Sequence, residues 1–179
     1  VILNQGLAYD RCQIGIVTRI EPEMHFGKNH IHTTEKVFQI FRTQVDVVLP
    51  SGAAVLNAAD PMTAELAPLC DGEVILYAAD SSLASLAEHR SRGGRAVFAE
   101  GNSLFLVSPA EEMQLVPISE VPFVSGDPSG ARLEVVLAAV AAAWALGIAH
   151  HIIRTGLETF SLDPADSTHL QALGQPDSL

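Results

Sequence analysis

The chain has 179 residues, of which 48% are hydrophobic and only 17% charged; that composition excludes a disordered chain and suits one domain with a real core. Net charge is −11 with ten Lys and Arg residues, and no basic run occurs, which argues against a nucleic-acid partner. An acidic surface still allows a nucleotide site, because backbone amides and a bound metal can hold phosphates.

In chain order, Ile14 to Ile20 ("IGIVTRI") is a β-branched run that predicts a central strand buried on both faces. A polar loop follows, "EPEMHFGKNHIHTT". Thr33 or Thr34 can cap a helix running to about Thr43, with Val37, Ile40 and Phe41 on one face. "DVVLP" (46–50) and "AAVLN" (53–57) read as two neighbouring strands joined by a turn at Ser51-Gly52, and Pro61 opens a helix to about Leu69. "EVILYA" (73–78) is a strand and "SLASLAEHR" (82–90) a helix. "RAVFAEG" and "SLFLVS" form a hairpin turning at Glu100 to Ser103. "MQLVPISEV" reads as an edge strand, since Pro117 cannot donate to a ladder.

Residues 125–130 form a loop and 131–146 an apolar helix stopped at Gly147, with Trp144 expected in the core. The uncharged run Val135 to Ala149 is fifteen residues long, too short to span a bilayer, and predicts a buried helix. A second helix covers about Ala149 to Phe160, with His150 and His151 exposed or near its cap. Residues 161–179 read as a frayed tail. The alternation predicts an α/β fold, an open and largely parallel sheet flanked by helices, with a β-hairpin region. Cys12 and Cys70 stand in no metal spacing and are expected as reduced thiols in a cytoplasmic protein. Val1 opens the chain without Met, and a piece of a longer chain is the expectation.

Candidate chemistry gathers in two places. The stretch "GAAVLNAADP" (52–61) ends a strand in Asn57 and Asp60, where an α/β sheet usually meets a ligand; Asp60 can equally cap the helix at Pro61. "HFGKNHIH" puts His25, His30 and His32 near Glu21 and Glu23, a set suited to a transition metal but carried on a loop that is normally solvated. Ser51-Gly52 lacks the G-x-S-x-G elbow of a hydrolase. No residue stands out as catalytic.

Five segments in order resemble the carboxy-terminal, Mur-ligase-like half of the cyanophycin synthetases. They are "GLAYDRCQIGIVT" (6–18), "RTQVDVVLPSGAAVLNAADP" (42–61), "GGRAVF" (93–98), "VLAAVAAAWALGI" (136–148) and "IRTGLETF" (153–160). The resemblance implies that residues 1–160 are part of a Mur-ligase central domain, incomplete here. It implies an ATP- and magnesium-dependent ligase that joins arginine to polyaspartate, with Asn57 facing adenine, Asp60 at the nucleotide end, and His25 in the metal loop. Partners implied are ATP, polyaspartate and arginine through domains outside this chain, and further copies or a complementing chain; no membrane is expected.

The chain also departs from that pattern. No G-x-x-x-x-G-K-[ST] loop occurs, and the only Gly-Lys pair is Gly27-Lys28. Where the family's loop resembles "TNIDPDHHLG", this chain has "TRIEPEMHFG" (18–27), with Met24 at the first histidine; sulfur suits magnesium poorly. Phe41 stands for a lysine, Ala59 for an aspartate and Val135 for an asparagine. These departures predict an isolated chain without catalysis, or alternatively an interaction module that keeps the fold alone.

Overall fold

The computed structural model describes residues 7–21 and 33–161. Six strands form one sheet in sequence order: β1 (Cys12–Val17), β2 (Val48–Asn57), β3 (Glu73–Ala78), β4 (Arg95–Glu100), β5 (Ser103–Val107) and β6 (Glu112–Pro117). β1 to β4 are parallel, and β4, β5 and β6 run antiparallel to their neighbours. The helices are α1 (Thr34–Asp46), α2 (Pro61–Ala64), α3 (Ala84–Ser91), α4 (Ala131–Ala145) and α5 (His150–Thr159).

The sheet is apolar on both faces, as a parallel sheet between helical layers must be. One face, with Val55, Ile75, Tyr77 and Val97, packs under Leu137, Val140 and Ala141 of α4. The other, with Val17, Leu56, Leu76 and Phe98, packs under Val37 and Val45 of α1 and Leu86 of α3. Successive strand residues alternate between these layers. The hairpin β4–β5 pairs Glu100 with Ser103, as the sequence predicts, and Pro117 ends the edge strand β6.

Local expectations change at several places. The strand expected over 14–20, central and buried on both faces, is Cys12–Val17 at the edge of the sheet, where the flanking helices cover it only in part and Ile16 stays 38% exposed. The two strands expected around Ser51-Gly52 are one strand, β2, because Gly52 serves close approach and makes no turn there. A Cβ on Gly52 would lie 2.2 Å from the Gln13 carbonyl oxygen. The β1–β2 register slips there, from Cys12 opposite Val48 to Ile14 opposite Ala53, and Pro50 falls where the ladder is broken. The helix from Pro61 stops at Ala64 and resumes as a 3-10 turn, Ala67–Leu69; Pro68 cannot donate the bond a continuous helix would need. α4, expected buried, is buried on one side only: Val136, Leu137, Ala138, Val140 and Ala141 face inward, while Val135 is 55% exposed. Trp144 is half-buried, with the Arg95 guanidinium 3.7 Å from its ring centre.

Candidate functional site

The carboxyl ends of β1, β2 and β3 meet at one corner, built by their own side chains. Thr33 caps α1, its hydroxyl accepting from Lys36 N at 3.4 Å, and α1 returns the chain to start β2. At the far end of β2, Asn57 is only 4% exposed. Its Oδ1 accepts from Ala59 N at 2.9 Å, which turns the chain out of the sheet. Its amide nitrogen has no hydrogen-bond partner among the described residues and remains a donor at the mouth of the corner.

Asp60 closes the turn. Oδ1 accepts from Thr63 N at 2.8 Å and caps α2, while Oδ2 accepts from Ile20 N at 3.1 Å. Both carboxylate oxygens therefore serve backbone amides, one on each side of the corner. Just past the end of β3, Asp80 accepts from Ser82 N and Oγ at 2.8 and 2.6 Å, and these bonds hold its carboxyl below the ordinary 3.8. Ser85 Oγ donates to the Ala58 carbonyl at 3.2 Å, tying α3 to the same turn.

Beside Asn57 stands Tyr77, its register partner on β3, with the Ala58 amide donating to the Tyr77 carbonyl at 2.9 Å. Tyr77 is fully buried and its hydroxyl has no hydrogen-bond partner among the described residues. Burial, and then the charges of Glu134 and Asp60, raise its ionisation far above the ordinary 10.0, so the hydroxyl stays protonated. Sequence reasoning missed Tyr77; the available signal was a lone hydroxyl in the apolar strand "EVILYA".

The structure thus brings Asn57 and Asp60 together. His25, with His30 and His32, lies outside the described residues. Glu21 is exposed and pairs with Arg19 at 3.7 Å, and no group of three or more His, Cys, Asp or Glu able to hold a metal occurs among the described residues. The corner fits the uncharged face of a ligand, which an amide donor and a hydroxyl can meet. A magnesium site here would need further oxygen donors beside Asp60, whose two oxygens each already accept from a backbone amide. Of the positions that depart from the resemblance, Ala59 is exposed at the corner and Phe41 packs against the α1-side core. His150 sits edge-on to Trp144, 6.1 Å between ring centres, and no helix among the described residues is long and apolar enough to cross a membrane.

No protein-family profile matches the chain. Among curated proteins, cyanophycin synthetase of Crocosphaera subtropica is 30% identical over 159 residues, and that of Synechocystis sp. is 29% identical over 160 residues. Each match takes in 89% of this chain but 18% of the relative, so the chain spans under a fifth of their length. Among solved structures, a MurF crystal structure from Acinetobacter baumannii superposes with TM-score 0.57 at 20% identity, over 84% of this chain and 29% of that one. A second structure, the UDP-N-acetylmuramate:L-alanyl-gamma-D-glutamyl-meso-diaminopimelate ligase of Neisseria, gives 0.51 at 15% identity, over 83% of this chain and 40% of that one. The six-stranded open sheet with its helical flanks is the fold these ligases share with it. The chain is a homologue of one segment of cyanophycin synthetase, folded as a Mur-ligase-like domain.

Proposed function

We propose that this chain supplies the base-recognition end of a nucleotide site in an ATP-dependent amide ligase, of the kind that joins arginine to polyaspartate, and that it is catalytically silent by itself. The observation that carries the reading is the amide nitrogen of Asn57, without a hydrogen-bond partner among the described residues and nearly buried at the carboxyl ends of parallel strands, where open α/β sheets take their ligands. ATP supplies the phosphoryl group that activates a carboxylate for attack by an amine. The chain's own part is to bind and orient: Asn57 donates to the base, and Asp60 holds the ends of β1 and α2 so that the amide points outward. Magnesium, phosphate and amino-acid contacts then fall to groups beyond the described residues.

The open edge of the sheet supports an assembly of this kind. β6 is blunted by Glu112 and Pro117, whereas β1 is uncharged, and on its outer side it has no partner among the described residues. Natural edges are normally protected by charge, proline or a covering element. A further strand, from a longer or complementing chain in a cytoplasmic ligase, suits that edge.

Titration calorimetry of magnesium-ATP into the chain tests the reading, with Asn57→Ala as control. Saturable binding, weakened about tenfold by a lost hydrogen bond, is expected. Absence of heat at millimolar ATP contradicts it. The second reading, an interaction module, is favoured by a different observation. An apolar groove of about 580 Å³ runs between α4 and α5, with Val135 and Ile152 each 55% exposed along it. If ATP does not bind, that groove becomes the surface of interest.

A further inference from the structure

We infer that the Tyr77 hydroxyl is a ligand-binding group of the Asn57 corner, aimed at the uncharged, heteroaromatic end of the bound molecule and away from its phosphates. The inference rests on the nucleotide reading above. Four observations converge on it.

The hydroxyl is buried and has no hydrogen-bond partner among the described residues. Such a group is costly to keep, because it gives up its bonds to water and receives none in return. Phenylalanine would fill the same space among Val55, Ile75, Val97 and Leu137 at no such cost. Where a fold retains an orphaned polar group, a bound ligand is one of the few ways to satisfy it.

Position supplies the second argument. Tyr77 is the penultimate residue of β3, and it lies directly opposite Asn57 in the parallel ladder. Neighbouring strands are about 4.8 Å apart, and paired residues share a face. By the alternation that places Val55, Ile75 and Tyr77 on the α4 side, Asn57 points to that side as well. The two side chains therefore leave neighbouring strands from the same face of the sheet.

Electrostatics gives the third. Glu134, half-buried in the first turn of α4, and Asp60 both act on the hydroxyl. Two carboxylates at this spot repel phosphate and favour a neutral group or one that carries N–H donors. The fourth is protonation. The phenol remains a donor throughout the pH range of folding, so it can meet a ring nitrogen while its oxygen accepts from an amino group. A purine edge with an amino group beside a ring nitrogen has this pattern.

The test replaces Tyr77→Phe in the intact 179-residue chain, with Asn57→Ala in parallel. Melting temperature and affinity for adenosine, which has no phosphate, are both measured. Expected for Y77F is a melting temperature equal to or above that of the unsubstituted chain, together with a roughly tenfold loss of adenosine affinity. Magnesium-ATP should weaken by the same factor. A lower melting temperature in Y77F, with or without loss of affinity, overturns the inference, because the hydroxyl then has a structural partner. Unchanged affinity in Y77F alongside a loss in N57A overturns it too, while leaving the nucleotide reading standing. If neither adenosine nor magnesium-ATP binds the unsubstituted chain, both fail together.

Discussion

Asn57 and Asp60 are neighbours with different duties, and the hydrogen bonds separate them. Asp60 spends both oxygens on the backbone, one on Thr63 N and one on Ile20 N. Its removal unties α2 and the end of β1 whether or not a ligand is present. Asp60→Ala is therefore expected to destabilise the chain by about 1–2 kcal/mol, the usual cost of a lost cap, read as a lower midpoint in urea unfolding. An unchanged midpoint would show that the cap is dispensable. Asn57 spends its oxygen on its own turn, and its nitrogen has no hydrogen-bond partner among the described residues. The sequence marked both residues by their place at a strand end. It could not separate the roles, since Asp60 also serves β1, forty residues away in the chain, through Ile20. Tyr77 was invisible for a similar reason: its importance lies in what its hydroxyl lacks, and only the packed fold reveals that.

Among the elements, α4 is the one whose start bears on the corner, because its first turn carries Glu134. Gly130 precedes it with φ of 72°, a left-handed backbone that only glycine adopts freely, and has no side chain to cap with. Asp127 does the capping from further back, accepting from Arg132 N at 2.7 Å and from Ser129 N at 3.0 Å. The Ser129 hydroxyl bond and then the Arg132 amide hold its carboxyl below the ordinary 3.8. A depressed folded value means that the stabilisation is complete above 3.8 and is lost as pH falls through the lower, folded value. The gap in melting temperature between the unsubstituted chain and Asp127→Ala should thus be constant at neutral pH and close in acid below 3.8. A gap that does not change with pH would contradict this capping role.

Most elements were legible because their signals are local: the β-branched run before Val17, Thr33 before α1, Gly101 in the hairpin, Gly147 after α4. What was misread depended on distant partners. Ser51-Gly52 carries a turn's composition, yet Gly52 is small because the Gln13 backbone passes against it. The exposed side of α4 is as apolar as its buried side, so composition alone could not tell which residues would face the sheet.

At the scale of the molecule, the β1 edge of the sheet has no outer partner among the described residues, and the chain matches 18% of the length of its relatives. A net charge of −11 makes the surface a poor host for phosphates unless other groups supply cations, in keeping with a division of labour in which this segment holds the base. The apolar strip along Val135, Ile152 and Phe160 is the rival surface. The two accounts predict different places for a ligand to act, and chemical-shift mapping of the isotopically labelled chain during titration with ATP separates them directly. Binding at the corner predicts saturable shifts clustered at Asn57 to Asp60, Tyr77, Ala78 and Glu134. Shifts confined to the α4–α5 groove, or no shifts at millimolar ATP, would contradict the account.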